Sequence, residues 1–276
     1  MNRLKKVLLW TSAVVITVAA MFFQRITGPT YPAKAIVTIN GNKYTLSLKR
    51  SQNNTQPCTI NLALPENVFG ELFYRKYPGN DEWTSIAMIR TGSVLTAMLP
   101  SQPEAGKLQY YISLYDNHGG AFTIGKAKPV IIRFKGDVPA GVLIPHILAM
   151  LIAMLLSTIA GLYAIFRVEG YRRYALITLI SLLAGGFILG PLVQYYAFGQ
   201  FWTGIPFGWD LTDNKTLIAT LFWLVAVLVN RRRENRRWII IAAVVLMIVF
   251  CIPHSLFGSQ LDYSSNQVTQ GITKIL

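Results

Sequence analysis

Charged residues are scarce in this sequence, and acidic ones are scarcer still. Only 14% of the 276 residues are charged, against about 25% in an average soluble domain, while 53% are hydrophobic. Asp and Glu together number 12 and Lys and Arg number 26, so the formal net charge is +14. Several long apolar runs contain no charged residue, and the chain is therefore predicted to be an integral membrane protein.

Recognisable catalytic motifs are missing as well. The sequence contains no Gly-rich phosphate loop, no CxxC or CxxCH, no HExxH and no GxSxG. The apolar runs also lack the chain of carboxylates that a proton-coupled transporter would need. No catalytic residue is assigned from the sequence, and whether the chain is an enzyme is left open.

Cysteine and histidine are few, with two and three copies. Cys58 lies in a β-patterned segment and Cys251 in an apolar run, so a disulfide between them is not expected. The cysteines therefore do not indicate whether the protein occupies an oxidising or a reducing compartment. His118 falls in a predicted turn and is interpreted as a solvated loop residue. His146 and His254 fall in apolar runs, where ionisable side chains are rare and usually have a function.

Five apolar runs are predicted to form membrane-spanning helices: residues 7–23, 142–166, 174–198, 216–229 and 238–256. The second run has the length that a helix needs to cross a hydrocarbon core of about 30 Å. The first run follows a basic start and fits either a cleaved signal peptide or an uncleaved anchor, of which the anchor is preferred. The fourth run is short, and Thr212, Asp213 or Asn214 is expected to cap its first turn.

Basic residues cluster before the first run and in two short loops between runs, which predicts the orientation. By the positive-inside rule the N-terminus and both Arg-rich loops are cytoplasmic. The β-patterned segment, the 199–215 loop and the C-terminus are then periplasmic in a bacterial inner membrane. Because topology accounts for these charges, nucleic-acid binding is not expected; the clusters are Arg3, Lys5, Lys6; Arg167, Arg172, Arg173; and Arg231, Arg232, Arg233, Arg236, Arg237.

Residues 28–135 alternate short β-patterned runs with turn residues, which predicts an all-β immunoglobulin-like sandwich. Asn40-Gly41 between two runs is typical of a tight hairpin. Residues 99–115, LPSQPEAGKLQYYISLY, resemble the loop and strand that carry the tyrosine corner in fibronectin type III and immunoglobulin-like domains, with Tyr110 or Tyr111 as that tyrosine. The predicted strands lie near residues 35–39, 44–49, 58–64, 72–77, 85–90, 94–98, 108–115, 122–125 and 130–134.

The predicted fold class is thus an α+β membrane protein with five transmembrane helices and an all-β sandwich. Residues 1–27 form the N-terminal anchor or signal peptide, and residues 28–137 form the periplasmic immunoglobulin-like domain. Residues 138–258 form a four-helix transmembrane bundle, and residues 259–276 form a periplasmic C-terminal tail.

The two histidines in apolar runs suggest a cofactor site. At 100° per residue, His146 and Met150 share a face of the second helix, and Cys251 and His254 share a face of the fifth. Antiparallel helices would bring both imidazoles to a similar depth near the outer surface. Such ligands suit haem b or copper, and Gly190, in a GxxxG sequence, would admit a flat macrocycle.

Two other interpretations of these residues stay open. Met and Cys often only fill gaps in apolar cores, and both histidines fit structural roles without a cofactor. Alternatively, Asp210 and Asp213, in the aromatic-rich 197–215 loop, would stand near the histidines and order them or complete a zinc site, with Asp262 as a further ligand. The same loop fits either an interfacial aromatic belt or a lid over the helix ends.

Three segments, IPHILAML, GGFILGPLVQYYAFGQFWTG and IPHSLFGSQLDY, resemble those of multi-spanning bacterial envelope proteins with an outer β domain. The resemblance implies an envelope protein and assigns no activity. The leading hypothesis is an inner-membrane complex subunit that binds haem or a transition metal near its periplasmic face and acts in membrane electron transport. The alternatives are a non-catalytic scaffold that binds envelope proteins through its β domain, and a zinc-dependent membrane hydrolase. The lipid bilayer is a partner under each hypothesis.

Overall fold

The computed structural model describes residues 3–117, 119–253 and 258–269 and has an α+β fold. The chain divides into two compact units. The helical unit is formed within Met1–Pro29 and Val138–Gly258, and the β unit within Thr30–Asp137 and Ser259–Thr269. The chain therefore leaves the β unit once, for the last four helices, and returns to it afterwards.

Five long helices make up the helical unit, and the third of them changes pitch along its length. A π-helical segment, Leu183–Leu189, joins its two α-helical halves into a continuous helix of 28 residues. Over the described residues, four of the five are long and apolar enough to cross a membrane, and the last helix has 16 residues. The predicted fifth span ended at residue 256, and residues 254–257 lie outside the described part of the chain. The α-helices are α1 Arg3–Thr27, α2 Ala140–Ile165, α3 Tyr171–Leu182, α4 Gly190–Phe198, α5 Leu211–Arg232 and α6 Arg236–Cys251.

Helix α5 begins earlier than the sequence predicts. Its N-cap is Asp210, whose carboxylate accepts hydrogen bonds from the backbone N–H of Thr212 at 2.7 Å and of Asp213 at 3.3 Å. The predicted caps Thr212, Asp213 and Asn214 therefore lie inside the first turn. An Asp before the first turn satisfies amides that no intrahelical carbonyl can reach, and this adds a turn to the short predicted span.

Helices α2 to α6 pack as a bundle, and α1 lies beside it. Helix α2 contacts α1, α3 and α6, and α5 contacts α3 and α6. Side chains join the α2–α3 and α5–α6 turns at one end of the bundle, through the Arg172–Glu234 ion pair at 3.7 Å and the hydrogen bond from Tyr171 Oη to Asn230 Oδ1 at 3.5 Å. The basic clusters of both turns therefore lie at the same end, and the fully buried Trp223 lies in the bundle core.

The β unit contains every strand that the sequence predicts. The predicted strand 85–90 is divided in two at Met88, and three strands of three residues each were not predicted: Ser51–Asn53, Gln260–Asp262 and Gln267–Thr269. The strands are β1 Ala33–Ile39, β2 Asn42–Leu48, β3 Ser51–Asn53, β4 Cys58–Ala63, β5 Val68–Lys76, β6 Thr84–Ala87, β7 Ile89–Thr91, β8 Val94–Leu99, β9 Lys107–Asp116, β10 Ala121–Ile124, β11 Val130–Lys135, β12 Gln260–Asp262 and β13 Gln267–Thr269.

Two main sheets and two hairpins organise these strands. The larger sheet has the order β3-β11-β9-β5-β6, with β10 also paired to β9, and the smaller has the order β4-β8-β7. Strand β3 runs parallel to β11, and the other pairs are antiparallel. The β1–β2 hairpin turns at Asn40 and Gly41, both with positive φ, as the sequence predicts. Alternate residues of the strands point into one apolar core.

Tyr110 is fully buried in β9, and its hydroxyl joins this strand to the residue that follows β2. Its hydroxyl donates to the carbonyl oxygen of Lys49 at 2.8 Å, and burial raises the pKa of Tyr110. The acceptor lies 61 positions upstream, after β2, whereas a tyrosine corner bonds a few residues upstream. Tyr110 therefore does not make the short-range hydrogen bond of a tyrosine corner, because its side chain reaches across the core. Tyr111 points to the opposite face of the sheet and stacks on Phe73 at 4.7 Å.

The predicted polar tail begins with a hairpin that belongs to the β unit. The backbone N–H of Leu261 donates to the carbonyl oxygen of Ala105 at 3.0 Å, and the Tyr263 hydroxyl accepts from the backbone N–H of Lys107 at 3.1 Å. Burial, together with the charge of Arg133, lowers the pKa of Lys107 to about 8. Residues 259–269 are thus a packed part of the β unit rather than a separate tail, and residues 270–276 lie outside the described part.

Candidate functional site

His146 on α2 is hydrogen-bonded to the π-helical segment of the neighbouring helix. Its Nδ1 lies 2.9 Å from the carbonyl oxygen of Gly185, which also accepts from the backbone N–H of Gly190. A carbonyl oxygen can only accept, so Nδ1 donates and the neutral ring carries its lone pair on Nε2. The Gly185 carbonyl of the π-helical segment thus accepts from both the Gly190 N–H and the imidazole of His146.

Side chains of α2 and α5 fill the surface around the glycines of the π-helical segment. A Cβ added at Gly185 would lie 3.0 Å from both Ala149 Cβ and Met150 Sδ, and one added at Gly186 would lie 2.5 Å from Thr216 Cγ2. The glycines therefore allow three helices to approach closely. At the GxxxG sequence that was predicted to admit a macrocycle, Thr216 fills the space beside Gly186, and the imidazole of His146 lies beside Gly190.

The other predicted ligands are only partly brought together. His146 also lies beside Gly190, whose added Cβ would be 3.7 Å from the imidazole Cε1. Met150 packs against the π-helical segment, and Cys251 is a half-buried free thiol at the last residue of α6. His254 lies outside the described residues, so the predicted pairing of the two imidazoles is not tested. Within residues 3–117, 119–253 and 258–269, no group of three or more His, Cys, Asp and Glu side chains is placed to hold a metal ion.

The two predicted carboxylates hold the loop between α4 and α5. Asp213 is 7% exposed, and its Oδ2 accepts from the backbone N–H of Thr203 at 2.6 Å and from the Thr203 hydroxyl at 3.2 Å. Gln194 Nε2 donates to the same hydroxyl at 2.7 Å, which ties the end of α4 to the loop. Asp210, 4% exposed, caps α5, and its own backbone N–H donates to the Thr203 carbonyl at 3.0 Å. Both acids therefore serve as acceptors for the backbone.

Two residues that the sequence analysis missed hold the end of α6. Lys215 is 5% exposed, and its Nζ donates to the carbonyl oxygen of Ile252 at 2.6 Å. Gln24 Nε2 on α1 donates to the carbonyl oxygen of Phe250 at 2.6 Å. A cation and an amide are suitable partners for carbonyls that a helix C-terminus leaves unpaired. The available signal was that Lys215 is the single basic residue of the 199–215 loop.

This polar cluster supports a loop whose apolar side chains are exposed. Phe207 is 82% exposed and Trp209 is 69% exposed, although both lie close to the buried Asp210. Trp202 stacks on Phe187 at 5.2 Å, which fixes the base of the loop against the third long helix. The loop is therefore an ordered aromatic surface, whether it serves as the predicted belt or as the predicted lid.

The cluster and the histidine do not share hydrogen bonds. In the part of the chain that the structure describes, the imidazole of His146 bonds Gly185, and the carboxylates of Asp210 and Asp213 bond backbone and Thr203 groups. Comparison of the sequence with protein-family models and with curated proteins gives no match.

Proposed function

We propose that the protein is a non-catalytic, membrane-anchored subunit of a bacterial envelope complex, which binds a partner polypeptide through its β unit. This proposal rests on the hydrogen bonds that the polar side chains of the helical unit make. His146, Asp210, Asp213 and Lys215 each bond a backbone group, so the side chains best suited to chemistry support the architecture. An apolar bundle held in this way suits an anchor.

The surface of the bundle supports placement in a bilayer. Large apolar side chains are exposed on the flanks of several helices, among them Phe22 at 66%, Ile180 at 55% and Ile248 at 58%. Lipid tails would cover such surfaces without the cost of hydrating them. The basic ends of α1, α3 and α6 favour a cytoplasmic position for that end of the bundle, which puts the aromatic 199–210 loop at the periplasmic face of the inner membrane.

The β unit is proposed to be an immunoglobulin-like sandwich. Support comes from its two sheets, whose strands share one apolar core, and from the parallel β3–β11 pair at the edge of the larger sheet. Domains of this class often bind other proteins, but the fold alone assigns no partner. The binding surface has to be argued from side chains.

The outer face of the larger sheet offers the strongest binding surface of the β unit. Phe69 and Tyr115 are directly opposite on β5 and β9, and are 53% and 43% exposed. Glu71 and Arg75 follow Phe69 on the same face, and Arg75 packs on the ring of Trp83 at 4.5 Å. An exposed aromatic pair beside charges of both signs matches the composition of protein interfaces, so the occupant proposed is a polypeptide.

Photo-crosslinking in cells that produce the protein tests this surface. A photoreactive phenylalanine at position 69 or 115 should give one adduct of a defined mass. The matched control is position 89, since Ile89 is 73% exposed on the smaller sheet. Adducts at 69 and 115 that are absent at 89 support the proposal. Absence of adducts at both positions, or the same adducts at all three, contradicts it.

One observation favours a second function, a transition-metal site at His146. Metal-binding histidines usually donate the second ring nitrogen to a carbonyl or carboxylate, and His146 Nδ1 donates to Gly185 in this way. The ligand atom would be Nε2, with Met150 and Cys251 as soft ligands and copper or zinc as the metal. The filled space at Gly185 and Gly186 disfavours haem b more than it disfavours a single ion.

Elemental analysis and an absorption spectrum of detergent-purified protein test the metal site. About one copper or zinc per chain, lost in His146→Ala and retained in His118→Ala, would support it. A Soret band lost in His146→Ala would instead restore the haem hypothesis. Less than about a tenth of an equivalent of metal and no visible absorbance would leave the non-catalytic subunit as the better description.

A further inference from the structure

A cavity of about 550 Å³ lies at the basic end of the bundle, between α1 and the turn that joins α2 to α3. Its size falls within the range of small-ligand sites and exceeds what a free phosphate ion would fill. Three aromatic rings form its wall: Tyr174 meets Trp10 edge-to-face at 5.6 Å and Tyr163 at 5.4 Å. The cavity is lined by Lys6, Val7, Trp10, Thr11, Tyr163, Glu169, Gly170, Arg173 and Tyr174.

Two cations from different helices line this cavity without an ion-pair partner among the described residues. Lys6 comes from α1 and Arg173 from α3, and both are exposed. Their neighbours in sequence are differently engaged: Lys5 Nζ lies 5.8 Å from the centre of the Phe166 ring, and Arg172 pairs with Glu234. The charges that face the cavity are thus the ones left available for a ligand.

The backbone at the cavity also favours an anion. Gly170 is the N-cap of α3, has a positive φ of 94°, and provides no side-chain cap for the amides of the first turn. A Cβ added there would meet nothing within 4 Å, so the space beside Gly170 is open. The positive end of a helix adds to the attraction that Lys6 and Arg173 already exert.

We infer that this cavity binds the headgroup of an anionic membrane phospholipid, with the phosphate between Lys6 and Arg173. Two cations against the single carboxylate of Glu169 favour a headgroup with net negative charge over a zwitterionic one. The aromatic wall and Val7 suit the glycerol and upper acyl chains. The inference rests on the membrane placement in the proposed function, because a bilayer supplies this ligand at high local concentration.

Native mass spectrometry of the full-length protein in detergent, with phosphatidylglycerol or phosphatidylcholine added, tests the site. Wild-type protein should retain phosphatidylglycerol in preference to phosphatidylcholine. The double variant K6Q/R173Q should reduce phosphatidylglycerol retention about tenfold or more, since each basic residue near a headgroup contributes to binding. The matched control K5Q/R172Q removes the same charge from adjacent positions and should stay within about twofold of wild type.

Several outcomes would overturn the inference. Equal losses in the two double variants would indicate a diffuse basic surface, and equal retention of the two lipids by wild-type protein would exclude a headgroup site. Displacement of the lipid by millimolar inorganic phosphate would identify a free anion as the ligand. Carbonate extraction of membranes separates this failure from that of the proposed function: protein that stays in the pellet but shows no lipid preference lacks only the headgroup site.

Discussion

Asp213→Ala is expected to destabilise the helical unit by about 2–4 kcal/mol. The carboxylate is buried and holds the backbone N–H and the hydroxyl of Thr203, at 2.6 and 3.2 Å. Alanine would leave that N–H buried without its acceptor, and it would release Gln194, which bonds the same hydroxyl. Thermal unfolding of the full chain in detergent, followed by helical circular dichroism, should show a midpoint lower by about 5–15 °C.

Two further variants in the first turn of α5 show how much of this loss of stability depends on the buried acceptor. Asp213→Asn keeps one carbonyl-type acceptor and should lose roughly half as much stability. Asn214→Ala removes the acceptor for the N–H of Ile205, at 2.7 Å in an exposed position, where water can replace it. A loss for Asn214→Ala as large as that for Asp213→Ala would contradict the view that burial makes the Asp213 bond important.

The exposed aromatic side chains of the loop between α4 and α5 should also respond to Asp213→Ala. The loop presents Phe207 and Trp209 outward while Asp213 holds Thr203 inward, so loss of the carboxylate should loosen the aromatic surface before the bundle unfolds. Hydrogen exchange of residues 200–209 should therefore accelerate in Asp213→Ala at temperatures where α2 and α3 remain protected. Exchange that rises only together with the helices would mean that the loop has no separate opening.

Most elements of the fold could be predicted from the sequence because their patterns are local. Alternating apolar and polar residues indicate strands, and long apolar runs indicate helices. Both kinds of element therefore fall close to the expected positions. Strand β3 was missed because Ser51–Asn53 has no apolar alternation and forms only by pairing with β11. The β12–β13 hairpin was missed for the same reason, since Ala105 and Lys107 hold it from far along the chain.

The candidate site was less predictable, because its geometry depends on turns rather than on periods. Residue types identified His146 and Asp213, but nothing in the sequence shows that Gly185 would offer its carbonyl to an imidazole. That geometry comes from the π-helical segment, which GxxxG spacing does not specify. The sequence pattern places Lys215 in a loop. The early start of α5 instead puts Lys215 inside that helix and buries it beside the end of α6.

Gly161→Leu is expected to destabilise the bundle by about 3 kcal/mol or more. A Cβ at Gly161 would lie 2.7 Å from the Cβ of Ala243, so even a methyl group forces α2 and α6 apart. Gly141, on the same helix, has nothing within 4 Å of the corresponding position. Gly141→Ala should therefore be neutral or stabilise by up to about 1 kcal/mol, through helix propensity alone.

A double-mutant cycle separates the steric effect at Gly161 from any effect on α2 itself. Gly161→Ala alone should cost about 1–3 kcal/mol, and the double variant G161A/A243G should recover at least half of that loss, because it moves the missing volume from α2 to α6. Thermal unfolding in detergent gives all four corners of the cycle. If A243G adds its own loss to that of G161A without any recovery, the contact between these two positions does not position α6 against α2. The position of α6 would then depend on its other contacts, which include the hydrogen bonds at its C-terminal end from Gln24 to Phe250 and from Lys215 to Ile252.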